Sequence, residues 1–225
     1  VPETDEPGAR GSHPNIRSKD AASIILLDRS RASPRVLMGL RSKAHAFMPG
    51  LYVFPGGRRD AGDHALPFSR DLAAQELAKL SLGSTRPLSP AGARALALAA
   101  ARELQEETGL LLGSDAARHG PDLSRLRFLA RAITPPGHIR RYDTRFFCCF
   151  TDEVDIDPSA FVDSDELHDL QWLDITRNSS LNMPAITRMV LEDVTNIMIG
   201  DPSLESDSPV RHYFVRRGRF IRGFL

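Results

Sequence analysis

Apolar positions along this chain of 225 residues fall into short runs with two different periods. Ala22 to Leu27 is a nearly continuous apolar run and predicts a buried strand. Residues 28 to 34 are polar and end at Pro34, and Val36 to Leu40 resumes the strand pattern, so a hairpin is expected here. Phe47-Met48-Pro49-Gly50 turns the chain before a further apolar stretch, Tyr52-Val53-Phe54. Helical spacing then takes over from Ser69 to Leu82, through Leu72, Gln75, Glu76 and Lys79, and breaks between Gly83 and Pro90. Ser89 is placed as an N-cap with Pro90 at the first helical position, which predicts a main helix from about Pro90 to Thr108. Leu96, Ala100 and Leu104 form its core stripe, and Gly109 is placed to end it in a left-handed cap.

Beyond that helix, Leu126 to Thr134, the latter half of 140–150 and Leu170 to Leu173 have strand character, and Pro184 to Met198 is amphipathic at helical period. The tail, Val210 to Leu225, alternates apolar and basic residues around Arg217-Gly218 and predicts a hairpin. Arg211, Arg216, Arg217, Arg219 and Arg222 are expected on one side of it, as a polar outer strand face. Residues 1 to 19 are rich in Pro, Gly and charge and predict a loose arm, leaving 20–225 as one domain. Mixed strands and helices make the fold class α/β (α+β).

Composition narrows the partners. Lysine plus arginine equals aspartate plus glutamate, 29 against 29, so no global charge draws the chain to nucleic acid or membrane. No apolar run approaches the length of a membrane span, and no signal-peptide pattern opens the chain at Val1. The two cysteines, Cys148 and Cys149, are adjacent; neighbours in a strand point to opposite faces, so they read as small core residues in a reducing compartment. A cytoplasmic enzyme is the expectation. The histidines are scattered without ligand spacing, and no serine lies in a nucleophile-elbow setting.

The chemistry concentrates in Arg102-Glu103-Leu104-Gln105-Glu106-Glu107-Thr108-Gly109-Leu110. Glu103, Glu106 and Glu107, spaced i, i+3, i+4, put three carboxylates on one helical face. Like charges so close repel, and a hard divalent cation would neutralise them. Upstream, Phe54-Pro55-Gly56-Gly57-Arg58-Arg59-Asp60 carries two glycines after a strand, which lets the backbone approach a ligand closely.

Together these pieces resemble the Nudix hydrolase signature. The half from Arg102 to Leu110 matches at every fixed position, and Gly57 is its opening glycine. The acid six residues on is Asp63, where the family usually has Glu, and 38 residues, 64 to 101, precede Arg102 where the family has seven. Arg41-Ser42, Gly50 and Phe54-Pro55-Gly56-Gly57 are similar to a motif found upstream of the box in coenzyme A-cleaving members, although that motif has an arginine where Ala46 stands. The long insertion, about 64–89 with the extended box, and the run Arg141-Tyr142-Asp143-Thr144-Arg145-Phe146-Phe147 are most similar to the acyl-coenzyme A diphosphatase branch.

The resemblance implies a Nudix fold, a mixed sheet sandwiched between helices with a helical insertion in the box. It implies hydrolysis of a nucleoside diphosphate linked to another moiety, with Mg²⁺ or Mn²⁺ as cofactor and a small-molecule nucleotide as partner. Glu103, Glu106 and Glu107 with the Gly56 carbonyl are the implied metal ligands. Arg102 would orient a neighbouring glutamate, and Arg41 and Gly57 would meet substrate. Either Glu103 or a loop acid, Glu166 with Asp165 as its alternative, would take the proton. ADP-ribose or a dinucleotide is the rival substrate, and a non-catalytic nucleotide sensor the rival class. Related enzymes are often dimers, so a homodimer is also expected.

Overall fold

The computed structural model describes residues 11–42, 48–83, 87–177, 181–204 and 208–225. Ala46, the departure from the upstream motif, and the start of the Phe47 turn lie outside them. The strands are β1 (Lys19–Asp28), β2 (Arg35–Arg41), β3 (Tyr52–Val53), β4 (Gly56–Arg58), β5 (Arg127–Ile133), β6 (Tyr142–Phe150), β7 (Leu167–Asp174), β8 (Arg211–Arg216) and β9 (Arg219–Phe224). The α-helices are α1 (Ala74–Leu80), α2 (Pro90–Thr108), α3 (Ala116–His119) and α4 (Ala185–Gly200).

One mixed sheet runs β3-β2-β1-β6-β5-β8-β9, with β1 parallel to β6 and β5 parallel to β8. The other pairs are antiparallel. β1 changes partner along its length. Leu27 and Asp28 pair with β2, whereas Ala21, Ala22 and Ser23 pair with β4. β2 pairs with β7 from Arg35 to Arg41, and its far end, Gly39 and Leu40, also pairs with β3. A cleft opens where β1 lets go of β2, and the paired glycines sit at its floor.

Alternation along β1 divides the core. Ile24 and Leu26 pack under α2, while Ile25 and Leu27 pack under α4, so the two long helices cover opposite faces. Leu96, Ala100 and Leu104 are fully buried, as the stripe predicts, and the alanines between them are buried too because the insertion covers the outer side of α2. Truncating Leu96 or Leu104 to alanine falls in the class that costs about 2–5 kcal/mol. The helix ends as its sequence requires: Ser89 Oγ accepts from the Gly92 amide at 3.1 Å, and Gly109 takes φ 73°.

Three expectations need correction. The first helix of the insertion is shorter than Ser69 to Leu82, because the Ser69 amide donates to Pro121 and Arg70 accepts from the Leu123 amide, which ties this stretch into a bridge. The arm is not loose over residues 11–19. Gly11 and His13 donate to Pro136 and Gly137, and Arg141 bonds to Asn15 and Ile16. The tail does form a hairpin around Arg217 (φ 52°) and Gly218 (φ 75°), but its arginines divide between faces. The strand period of two sends Arg211 and Arg222 to Asp193 on α4, while Arg216 and Arg219 pair across the other face.

Candidate active site

At the cleft floor, the backbone leaves no room for side chains. A Cβ on Gly57 would lie 2.5 Å from the Glu103 carboxylate, and one on Gly56 (φ 154°) would lie 2.5 Å from the Ala22 carbonyl. The Gly56 amide donates to Glu107 Oε2 at 2.8 Å, and Ser23 Oγ fixes the turn by donating to the Pro55 carbonyl. β4 and the last two turns of α2 are thus locked face to face.

The helix period sorts the three glutamates. Glu107 lies about 40° round the axis from Glu103, and Glu106 about 60° the other way. Glu103 and Glu107 are buried and line the cleft, whereas Glu106 is exposed and outside its lining. Burial pushes Glu107 up to about 8; Glu103 and Glu166 add repulsion, against the pull of Arg41 and the Gly56 amide. Burial also raises Glu103, opposed chiefly by Arg102.

Arg102 uses all five of its donors. Nε and Nη2 reach the two oxygens of Asp63 at 2.8 and 3.3 Å. Nη1 reaches Glu103 at 2.8 Å and Glu106 at 2.9 Å, and Nη2 also reaches the Arg58 carbonyl at 3.1 Å. These partners, Asp63 first, hold the guanidinium well above its ordinary pKa. Asp63 also accepts from the Asp60 amide at 2.7 Å, which places the acid of the first half of the box against the helix.

On the other wall, Arg41 ends β2 with Nη2 3.4 Å from the Gly56 carbonyl. Pairing of Arg41 with Leu167 brings Glu166 alongside, and the Ser42 amide donates to the Glu166 carbonyl. Glu166 lines the cleft and Asp165 does not. The cleft, about 690 Å³, continues past Phe54 and Phe146 to Tyr142, Thr144, Met189 and Phe220. Tyr142 and Thr144 face it, while Asp143 between them turns away into a buried pair with Arg131 and Arg145. Among the described residues, no three His, Cys, Asp or Glu side chains stand in a ready-made metal-binding group.

The model of the NUDIX domain matches residues 91–194, beginning inside α2. The chain is similar to the crystal structure of a NUDIX hydrolase from Alicyclobacillus acidocaldarius, at 26% identity and TM-score 0.61 over 82% of this chain and 96% of that one. Residues 91–194 match the NUDIX domain, and the chain has the Nudix fold. The fold is shared more widely. The NUDIX domain of Shewanella oneidensis NrtR, solved with ADP ribose, is 12% identical with TM-score 0.52 over 81% of this chain and 90% of its own. A MutT protein from Methanosarcina mazei Go1 is 13% identical with TM-score 0.51 over 82% and 96%. No match was found among curated proteins.

The start of the Nudix match within α2 leaves Gly56, Gly57 and Asp63 ahead of it. The fold sets those residues against α2 nonetheless, through Gly56 to Glu107 and Asp63 to Arg102. No helix among the described residues is long and apolar enough to cross a membrane.

Proposed function

We propose that the domain hydrolyses a nucleoside diphosphate linked to another moiety, using Mg²⁺ or Mn²⁺, and that the substrate is coenzyme A or an acyl-coenzyme A. The observation that carries the reaction type is the buried pair Glu103 and Glu107, facing Glu166 across a cleft floored by Gly56 and Gly57. Burial beside Glu103 and Glu166 disfavours the charged form of Glu107, and a divalent cation would restore it. The donors here are carboxylate and carbonyl oxygens, the set a hard divalent cation takes, so the residues fit one.

Glu103 and Glu107 with the Gly56 carbonyl would hold the ion, and Glu106 would join them by leaving Arg102. The cation supplies charge neutralisation for the diphosphate and lowers the pKa of the attacking water. Arg102, with every donor engaged inside the protein, positions Glu103 and Glu106 and does not touch substrate. Arg41 and the Gly57 backbone would meet the phosphates at the mouth of the glycine floor. Glu103 or Glu166 would take the proton from the water. Glu166 is the better placed of the two loop acids, since Asp165 lies outside the cleft lining.

The coenzyme A assignment is supported by the Arg41-Ser42 and Phe54-Pro55-Gly56-Gly57 run and by the apolar walls of Phe54, Phe146, Met189 and Phe220, which suit a long substrate. The deciding assay offers coenzyme A, an acyl-coenzyme A, ADP-ribose, NADH and a diadenosine polyphosphate with Mg²⁺, identifying products by mass. Release of adenosine 3′,5′-bisphosphate in preference to other products is expected. Preference for another compound would remove the substrate assignment, and no hydrolysis with either Mg²⁺ or Mn²⁺ would remove the catalytic one.

A further inference from the structure

The first turn of α4 enters the same cleft from the opposite face of the sheet, through Ala185, Ile186 and Thr187. Pro184 stands at the N-cap, where it offers no capping side chain. The Arg188 amide is the first to close the helix, onto the Pro184 carbonyl at 3.0 Å. Amides ahead of that point have no carbonyl one turn back to bond with. Among the described residues, neither the Ile186 nor the Thr187 amide finds another acceptor.

Thr187 adds an independent observation. The residue is 5% exposed and lines the cleft, and its hydroxyl has no hydrogen-bond partner among the described residues. A hydroxyl that bonds no protein group and opens on a cleft is free to donate to a ligand there. Two amides and a hydroxyl without acceptors thus lie within one turn, at the positive end of a helix of 16 residues. That arrangement suits an oxyanion. The carboxylates that line the cleft, Glu103, Glu107 and Glu166, belong to α2 and to the lead-in of β7, not to α4. Asp193, further along α4, is neutralised by Arg211, Arg222 and Tyr213.

We propose that Thr187 and the Ile186 and Thr187 amides form a second oxyanion site in this cleft, which takes a phosphate monoester of the substrate remote from its diphosphate. The inference rests on the reading of the domain as a nucleotide hydrolase, and it adds a selection rule: nucleotides with an extra terminal phosphate are preferred over those without.

The test is amide-resolved NMR of the metal-free protein, titrated with adenosine 3′,5′-bisphosphate and, separately, with adenosine 5′-monophosphate. The Ile186 and Thr187 amides should shift with the bisphosphate only. Thr187→Val, which keeps the shape and the amides, should weaken bisphosphate binding about tenfold and leave the monophosphate unchanged, and Thr187→Ser should restore it. A bisphosphate that moves no amide of this turn, or a Thr187→Val protein that binds both nucleotides like wild type, would overturn the site. The hydrolysis panel separates the two claims. Hydrolysis of coenzyme A with a KM indifferent to Thr187→Val keeps the substrate and discards the site, whereas bisphosphate shifts at Thr187 without coenzyme A hydrolysis keep the site and discard the substrate.

Discussion

Asp63 and Arg102 are joined by two hydrogen bonds, at 2.8 and 3.3 Å, across 39 positions of sequence. The insertion loops out between them, and the pair closes its base. Asp63 is almost fully buried, and removing it leaves the Nε donor of Arg102 without its acceptor and the guanidinium with Glu103 and Glu106 alone. Asp63→Ala is expected to cost about 3 kcal/mol in urea unfolding. It should also lower kcat more than it raises KM, since Arg102 would no longer aim the glutamates.

Gly57→Ala tests the glycine floor. The added methyl would sit 2.5 Å from the Glu103 carboxylate, so Glu103 must move. A rate loss of about 10–100-fold with the thermal midpoint nearly unchanged is expected, in keeping with disturbed metal ligands. Wild-type activity would show that Glu103 has another productive position.

Glu106→Gln separates the two settings of that residue. It is exposed and, among the described residues, held only by Arg102, so the fold should be indifferent to it. As a metal ligand it should matter greatly: a loss of about two orders of magnitude in rate is expected, with reduced Mg²⁺ affinity. Near-normal activity in a folded protein would sink the assignment.

The insertion is stitched to the sheet by Glu76, which is wholly buried and accepts from the Phe128 amide at 2.7 Å. Lys79 lies 3.4 Å from the same carboxylate. Glu76→Ala should therefore destabilise the whole domain by about 2–3 kcal/mol, seen as a single shifted unfolding transition. A change confined to the insertion would mean that it is an appendage.

His212 sets an acid limit. Burial holds it down at about 4, with Arg131 and Arg145 repelling its charged form and Asp143 opposing them. An unfolded histidine takes its proton near 6.5. Between those values unfolded His212 binds more protons, so its contribution to stability is flat above about pH 6.5 and falls as pH drops toward 4. The slope is up to about 1.4 kcal/mol per pH unit for one proton. His212→Gln should flatten the decline in urea midpoint between pH 7 and pH 5.

Local signals carried much of this in the sequence. Ser89, Pro90 and Gly109 bracket α2 to the residue, and the alternation of Ile24 to Leu27 already assigns two faces to β1. The i, i+3, i+4 glutamates were readable as a helical face, but which two would be buried depends on where β4 lies. What the sequence could not convey are long-range partners. Nothing local says that Ser69 and Arg70 bond to the 121–123 stretch in place of forming a helical turn. Nor does any motif mark Thr187, whose one signal is a threonine three places after a proline at a helix start.

The glycine contact between the arm and the loop before β6 has a practical side. A Cβ on Gly11 would meet the Gly137 carbonyl at 2.1 Å, and one on Gly137 would meet the Gly11 carbonyl at 2.2 Å, so the two backbones touch as only glycines allow. Ile16 and Lys19 then join His138, Ile139 and Arg140 along the cleft. This end of the cleft is therefore framed by two stretches about 120 positions apart in sequence. A bulky fusion or a proteolytic nick there would be felt first as altered substrate capture, while the core stood unchanged.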